Sequence, residues 1–164
     1  MTTILSPKTA IALFLTALFP ATFTVAVPAF AGQCPANQVM VGARTSGETM
    51  PKDVTDDVLS AIDLSSKGEA FKGYMLRLRK LVVQPNGVVP WHSHEKRAAN
   101  ILILEGSIME YNSTCKVAIE HKAGDVVGEF GADVAHWWRN ESKKPVVIIS
   151  GDLLPPEMRA ADAM

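Results

Sequence analysis

Residues 73–150 consist of short apolar runs that alternate with polar side chains and are cut by turn residues, and this pattern restricts the chain to a β architecture. Leu76 and Leu78 alternate with Arg77 and Arg79, and an apolar run at 81–83 leads into Pro85-Asn86-Gly87. Asn-Gly flanked by apolar runs signals a tight turn, so a turn between two strands is predicted there. Further strands are predicted at 88–94, 101–104, 107–111, 117–121, 126–127, 135–140 and 146–150, with turns at Glu105-Gly106 and Ala123-Gly124-Asp125. Strands spaced by about 8–12 residues point to a sandwich or barrel rather than to β-α-β units. Residues 54–64 fit both strand alternation and a helical face, with strand preferred. Residues 33–52 are rich in Gly, Ser, Thr and Pro and read as an extended arm.

The first 31 residues are expected to lie outside the fold. Lys8 is their only charge, residues 9–19 are apolar, Pro20 ends that run, and Ala29-Phe30-Ala31 has the small-x-small form of a signal-peptidase site. The apolar run is shorter than the ~18–20 residues of a spanning helix. A signal peptide at 1–31, cleaved after Ala31, therefore predicts a periplasmic or secreted product with no membrane association after cleavage. The rest divides into an arm with an early strand at 32–72, a barrel at 73–152 and a tail at 153–164.

The chain has two cysteines, Cys34 and Cys115. In an oxidising compartment two cysteines usually pair, although sequence alone leaves two free thiols open. With no C-x-x-C there is no redox motif. A formal net charge of −1 with 20% charged residues offers no basic stripe for nucleic acid and no polybasic segment for anionic lipid.

His92 and His94 flank a single residue. On a strand that spacing puts both imidazoles on one face, with Cα atoms about 6.6 Å apart. His136 lies far along the chain on another predicted strand, and can add a third nitrogen if that strand crosses opposite. Imidazole suits Fe, Mn, Cu, Ni or Zn, so the donors imply a divalent transition metal without naming it.

The stretches GVVPWHSHEKRAANILILEG and GDVVGEFGADVAHWWRN together resemble the cupin superfamily, whose two motifs are G-x5-H-x-H-x3,4-E-x6-G and G-x5-P-x-G-x2-H-x3-N. The H-x-H, the Gly106 turn and His136-x3-Asn140 match. Gly87 sits one position too near His92, and the Pro-x-Gly before His136 is replaced in Gly131-Ala132-Asp133. Counting back from Gly106, the family's glutamate position falls on Ala99, which cannot ligate a metal. The resemblance therefore implies a cupin double-stranded β-helix, a jelly-roll barrel, with a three-histidine site at His92, His94 and His136. A three-histidine ion keeps open positions for a chelating anion, O2 or water.

With His136 facing inward, Trp138 and Asn140 face inward and Trp137 outward. Trp138, Ile103 and Asn140 are candidate pocket residues. Trp91 is expected on the opposite face, against the arm or a partner subunit, and homodimers are common in the family. His121 reads as a surface residue. Arg77 and Arg79 are placed outside by their alternation with Leu76 and Leu78; facing inward, they could hold a carboxylate substrate. Glu95 points away from the site, Glu105 faces solvent, and no residue is identified as a general acid or base. The function expected is small-molecule chemistry at the metal, of a dioxygenase-like oxidoreductase kind. The alternatives are a non-catalytic module binding a small ligand or metal, and a metal-free structural barrel.

Overall fold

A computed structural model describes residues 32–158, so the signal peptide expected at 1–31 lies outside the described residues. Eight strands follow in order: β1 (Lys52–Asp63), β2 (Met75–Ser93), β3 (Ala99–Glu105), β4 (Ser107–Asn112), β5 (Ile119–Lys122), β6 (Val126–Glu129), β7 (Ala135–Arg139) and β8 (Val146–Leu154). Every strand pairing is antiparallel, in the order β5-β4-β7-β2-β8-β3-β6, with β1 added to β2. This curled sheet is the all-β barrel the sequence predicts, and the ambiguous segment at 54–64 is strand.

The predicted turn at Pro85-Asn86-Gly87 is not a hairpin. β2 runs through it as one 19-residue strand. Its first part, Met75 to Val83, pairs with β8, whereas Val88 to Ser93 pairs with β7, so one strand serves both halves of the barrel. The change of partner occurs at a bulge where Asn86 takes φ 63°. There the Asn86 N–H donates to the Asn140 carbonyl at 2.8 Å, and the Asn140 N–H donates to the Gly87 carbonyl at 3.0 Å. A Cβ on Gly87 would lie 2.7 Å from the Asp53 carbonyl oxygen, so only glycine fits. The signal marked a real irregularity, but the twist is absorbed within the strand rather than by reversing it.

The apolar core comprises Leu81, Val83, Val89, Ala99, Ile101, Ile103, Ile108, Trp138, Val146 and Ile148. At the start of β2 the expected faces are reversed. Leu76 and Leu78 are 46% and 42% exposed, whereas Arg77 and Arg79 are 6% and 5% exposed. Counter-ions distant in sequence account for the reversal. Asp152 on β8 accepts both arms of a bidentate pair from Arg77, at 2.9 and 2.6 Å, and lies 3.3 Å from Arg79. Asp56 on β1 also pairs with Arg79. Buried guanidinium groups are tolerated only with such partners.

The arm is fastened to the outer face of β4 and β7. The sulfurs of Cys34 and Cys115 are bonded at 2.02 Å, in agreement with the expected pair. The Arg44 guanidinium donates to the carbonyls of Asn112, Cys115 and Lys116. Trp137 does face outward: its indole stacks on Tyr111 at 4.1 Å and rests against Gly47 of the arm. Trp91 also meets the arm, through its backbone N–H to the Glu48 carbonyl.

Candidate metal centre

The β2–β7 register makes His92 and His136 direct cross-strand partners, so their side chains share the inner face. His94 follows immediately after β2, where its N–H donates to the Val134 carbonyl at 2.8 Å and its own carbonyl accepts from Gly131. The three rings then converge. The His92 Nε2 is 3.1 Å from His94 Nε2 and 3.0 Å from His136 Nε2.

The opposite nitrogens fix the tautomers. His92 Nδ1 is 2.8 Å from the Pro90 carbonyl, and His94 Nδ1 is 2.8 Å from the Arg97 carbonyl. Carbonyls only accept, so both Nδ1 atoms carry hydrogen and both Nε2 atoms, in the neutral rings, present lone pairs. His136 Nδ1 is 2.7 Å from Glu110 Oε1, which fixes it in the same sense. With all three rings neutral, the three Nε2 atoms aim lone pairs at one point, each ring oriented by an acceptor behind it, as imidazole ligands of metals are. This donor set fits a divalent transition metal.

Protonation follows the same electrostatics. Burial, reinforced by the neighbouring His136, pushes His92 well below the ordinary imidazole range and keeps it neutral. Burial would also lower His136, but the carboxylates of Glu129 and Glu110 outweigh it and raise His136 to about 9. Burial alone would raise Glu110, but hydrogen bonds from His121 and His136 hold it well below the usual carboxylate range. The pocket is therefore arranged to receive positive charge.

Two glutamates that the sequence left unassigned belong here. Glu110 on β4 bridges His136 and His121, its second oxygen lying 2.7 Å from His121 Nε2. Glu129 on β6 lies 2.9 Å from His94 Nε2 and 3.0 Å from His136 Nδ1. The available signal was strand parity: Glu110 shares the face of Ile108, and Glu129 that of Val127. His121, expected on the surface, is completely buried, because β5 turns it inward with Ile119 onto Glu110 and Trp138.

A cavity of about 30 Å³ opens beside the rings, lined by His92, His94, Arg79, Arg97, Trp138 and Ser150 among others. Ile103 and Asn140 do not line this cavity. Ile103 is sealed within the apolar core. Asn140 is a corner clamp, donating to the Val83 and Lys144 carbonyls and accepting from Ser142, because the chain leaves β7 just before it. Glu95 is exposed, as expected.

Residues 79–151 match the cupin domain family. No curated protein sequence matches the chain. Among solved structures, a predicted oxalate decarboxylase from Thermotoga maritima is 20% identical, with 75% of this chain and 99% of that one covered and a TM-score of 0.50. The Cnp3 cupin domain of Schizosaccharomyces pombe is 12% identical, with 63% and 66% covered and a TM-score of 0.50. A putative sugar phosphate isomerase from Acidithiobacillus ferrooxidans is 16% identical, with a TM-score of 0.45; 49% of this chain is covered, which spans 51% of that structure. These likenesses are of fold. The domain match, the curled antiparallel barrel and the matched H-x-H and H-x3-N histidines identify residues 79–151 as a domain of the cupin superfamily.

Proposed function

We propose that the protein is an exported metal-dependent oxidoreductase, dioxygenase-like, acting on a small anionic molecule. The convergence of the three imidazole Nε2 atoms, each with its Nδ1–H held from behind, carries this reading. His92, His94 and His136 would hold a divalent transition metal, which supplies Lewis acidity and, when redox-active, electrons. The chain's own groups do the remainder. Arg79 and Arg97 bring guanidinium groups to the cavity wall, where they suit the carboxylate or comparable anion of a substrate. Leu81, Val89, Ile101 and Ile148 form the apolar side that keeps water out. The size of the cavity favours a ligand of few heavy atoms, since one water needs about 10–15 Å³ on this measure. A Cys34–Cys115 bond suits an oxidising compartment, in keeping with a periplasmic or secreted product.

The test is oxygen uptake by protein reconstituted in turn with Fe, Mn, Cu, Ni and Zn, against a panel of small carboxylates. Substrate-dependent uptake with a redox metal, abolished in His92→Ala, is the expected result. Stoichiometric metal with no product for any substrate would instead support a non-catalytic binding module, which the small cavity also suits.

A further inference from the structure

Position 99, where the cupin pattern places a glutamate ligand, is alanine here, yet a buried carboxylate reaches the histidine cluster from another strand, with Glu129 Oε2 2.9 Å from His94 Nε2. We infer that Glu129 is the fourth ligand of the centre, supplied by β6 in place of residue 99. The inference rests on the metal-site reading above and names a ligand that the family's motifs do not contain.

Three observations carry it. First, Ala99 and Glu129 are direct partners in the antiparallel β3–β6 ladder. Side chains so paired lie on the same face, with Cβ atoms about 4.5–5.5 Å apart. Both residues are buried, and alanine at 99 brings no donor atom of its own.

Second, Glu129 lies against two of the histidines without a well-aligned hydrogen to accept from them. His94 has given its Nδ1–H to the Arg97 carbonyl, so the Nε2 atom 2.9 Å from Glu129 Oε2 presents a lone pair. The single Nδ1 hydrogen of His136 is taken by Glu110 at 2.7 Å, leaving Glu129 Oε1 a poorly aligned approach at 3.0 Å. Neither oxygen of Glu129 makes a well-aligned hydrogen bond among the described residues, although the residue is only 4% exposed. A buried carboxylate that close to a ring nitrogen is satisfied by a cation between them, either a proton on the ring or a metal ion.

Third, the neighbouring carboxylate shows what a satisfied glutamate looks like here. Glu110 accepts from His136, His121 and Asn112, and so acts as the support behind a ligand rather than as a ligand. The competing arrangement for Glu129 is metal-free, with His94 protonated on both nitrogens and ion-paired to it.

Cobalt(II) titration of the purified protein, read by equilibrium dialysis and by visible absorption, separates these arrangements. Wild type should take one cobalt per chain. Glu129→Gln, which preserves shape, and Glu129→Ala should both weaken binding, by about tenfold to a hundredfold, and alter the absorption spectrum. Adding Ala99→Glu to Glu129→Ala should recover affinity, a rescue that a merely structural role would not give. Wild-type affinity and spectrum in Glu129→Gln, or weakened binding in Glu129→Ala that Ala99→Glu does not raise, would overturn the inference. His92→Ala distinguishes the levels of failure. If it loses cobalt while Glu129→Gln does not, only the fourth ligand falls. If wild type takes no cobalt, the metal-site reading and this inference fall together.

Discussion

Glu110 stands behind His136, its Oε1 2.7 Å from the ring Nδ1, and with its other oxygen holds the buried His121 at the same distance. One carboxylate thus orients an imidazole of the three-histidine cluster and satisfies a second imidazole outside it. Glu110→Gln removes the charge and turns an amide N–H₂ toward one of these partners. Metal affinity should drop by about 10–100-fold. Folding stability should fall by about 1–3 kcal/mol as a buried acceptor is lost. Cobalt dialysis and urea denaturation of the same variant measure the two effects separately.

The inverted start of β2 gives a sharper stability prediction. Asp152, whose side chain is fully buried, faces Arg77, Arg79 and Arg97 at 2.6, 3.3 and 3.8 Å. Asp152→Asn leaves these guanidinium groups without their shared counter-charge and should cost about 3–5 kcal/mol. Leu78→Ser on the outer face should stay within about 0.5 kcal/mol of wild type. Denaturation midpoints compare them, and equal losses would restore the faces expected from the leucine alternation.

At the arm, a Cβ on Gly47 would lie 2.1 Å from Trp137 Cδ1. That indole has nowhere to retreat, being stacked on Tyr111 with an interplanar angle of 8°. Gly47→Ala should therefore cost about 1–3 kcal/mol by overpacking. Thermal melts should show the loss, and the cobalt spectrum should be unchanged, since Trp137 faces away from the centre.

Cys34 and Cys115 are 81 positions apart. The chain-entropy model assigns a loop of that length about 4 kcal/mol of stabilisation. Denaturation of the Cys34→Ser/Cys115→Ser double variant should show a loss of that order. Its histidine cluster should still bind cobalt, because none of the three rings is borne by the arm.

Much of the site was legible because its signals are local. H-x-H fixes two rings on one face, and the strand run carrying His136-x3-Asn140 fixes the third. What was hidden depends on register between distant strands. Arg77 and Arg79 read as exterior because alternation with leucine normally decides the faces; only the arrival of Asp152 and Asp56 reverses that preference. His121 read as surface because nothing near it in sequence reveals that β4 sets Glu110 close by. Asn140 was assigned to the pocket by counting parity from His136, but parity holds only while the strand continues, and β7 ends at Arg139. Ala99 read as the loss of a ligand, whereas its cross-strand partner Glu129 was visible only as one more acidic residue.

The convergence of the three imidazoles is tested most directly by anomalous diffraction from crystals loaded with cobalt or zinc. The account predicts a single strong anomalous peak between the Nε2 atoms of His92, His94 and His136, about 2.0–2.1 Å from each. An occupied metal elsewhere on the chain, or crystals soaked to saturation with no peak among these rings, would contradict it.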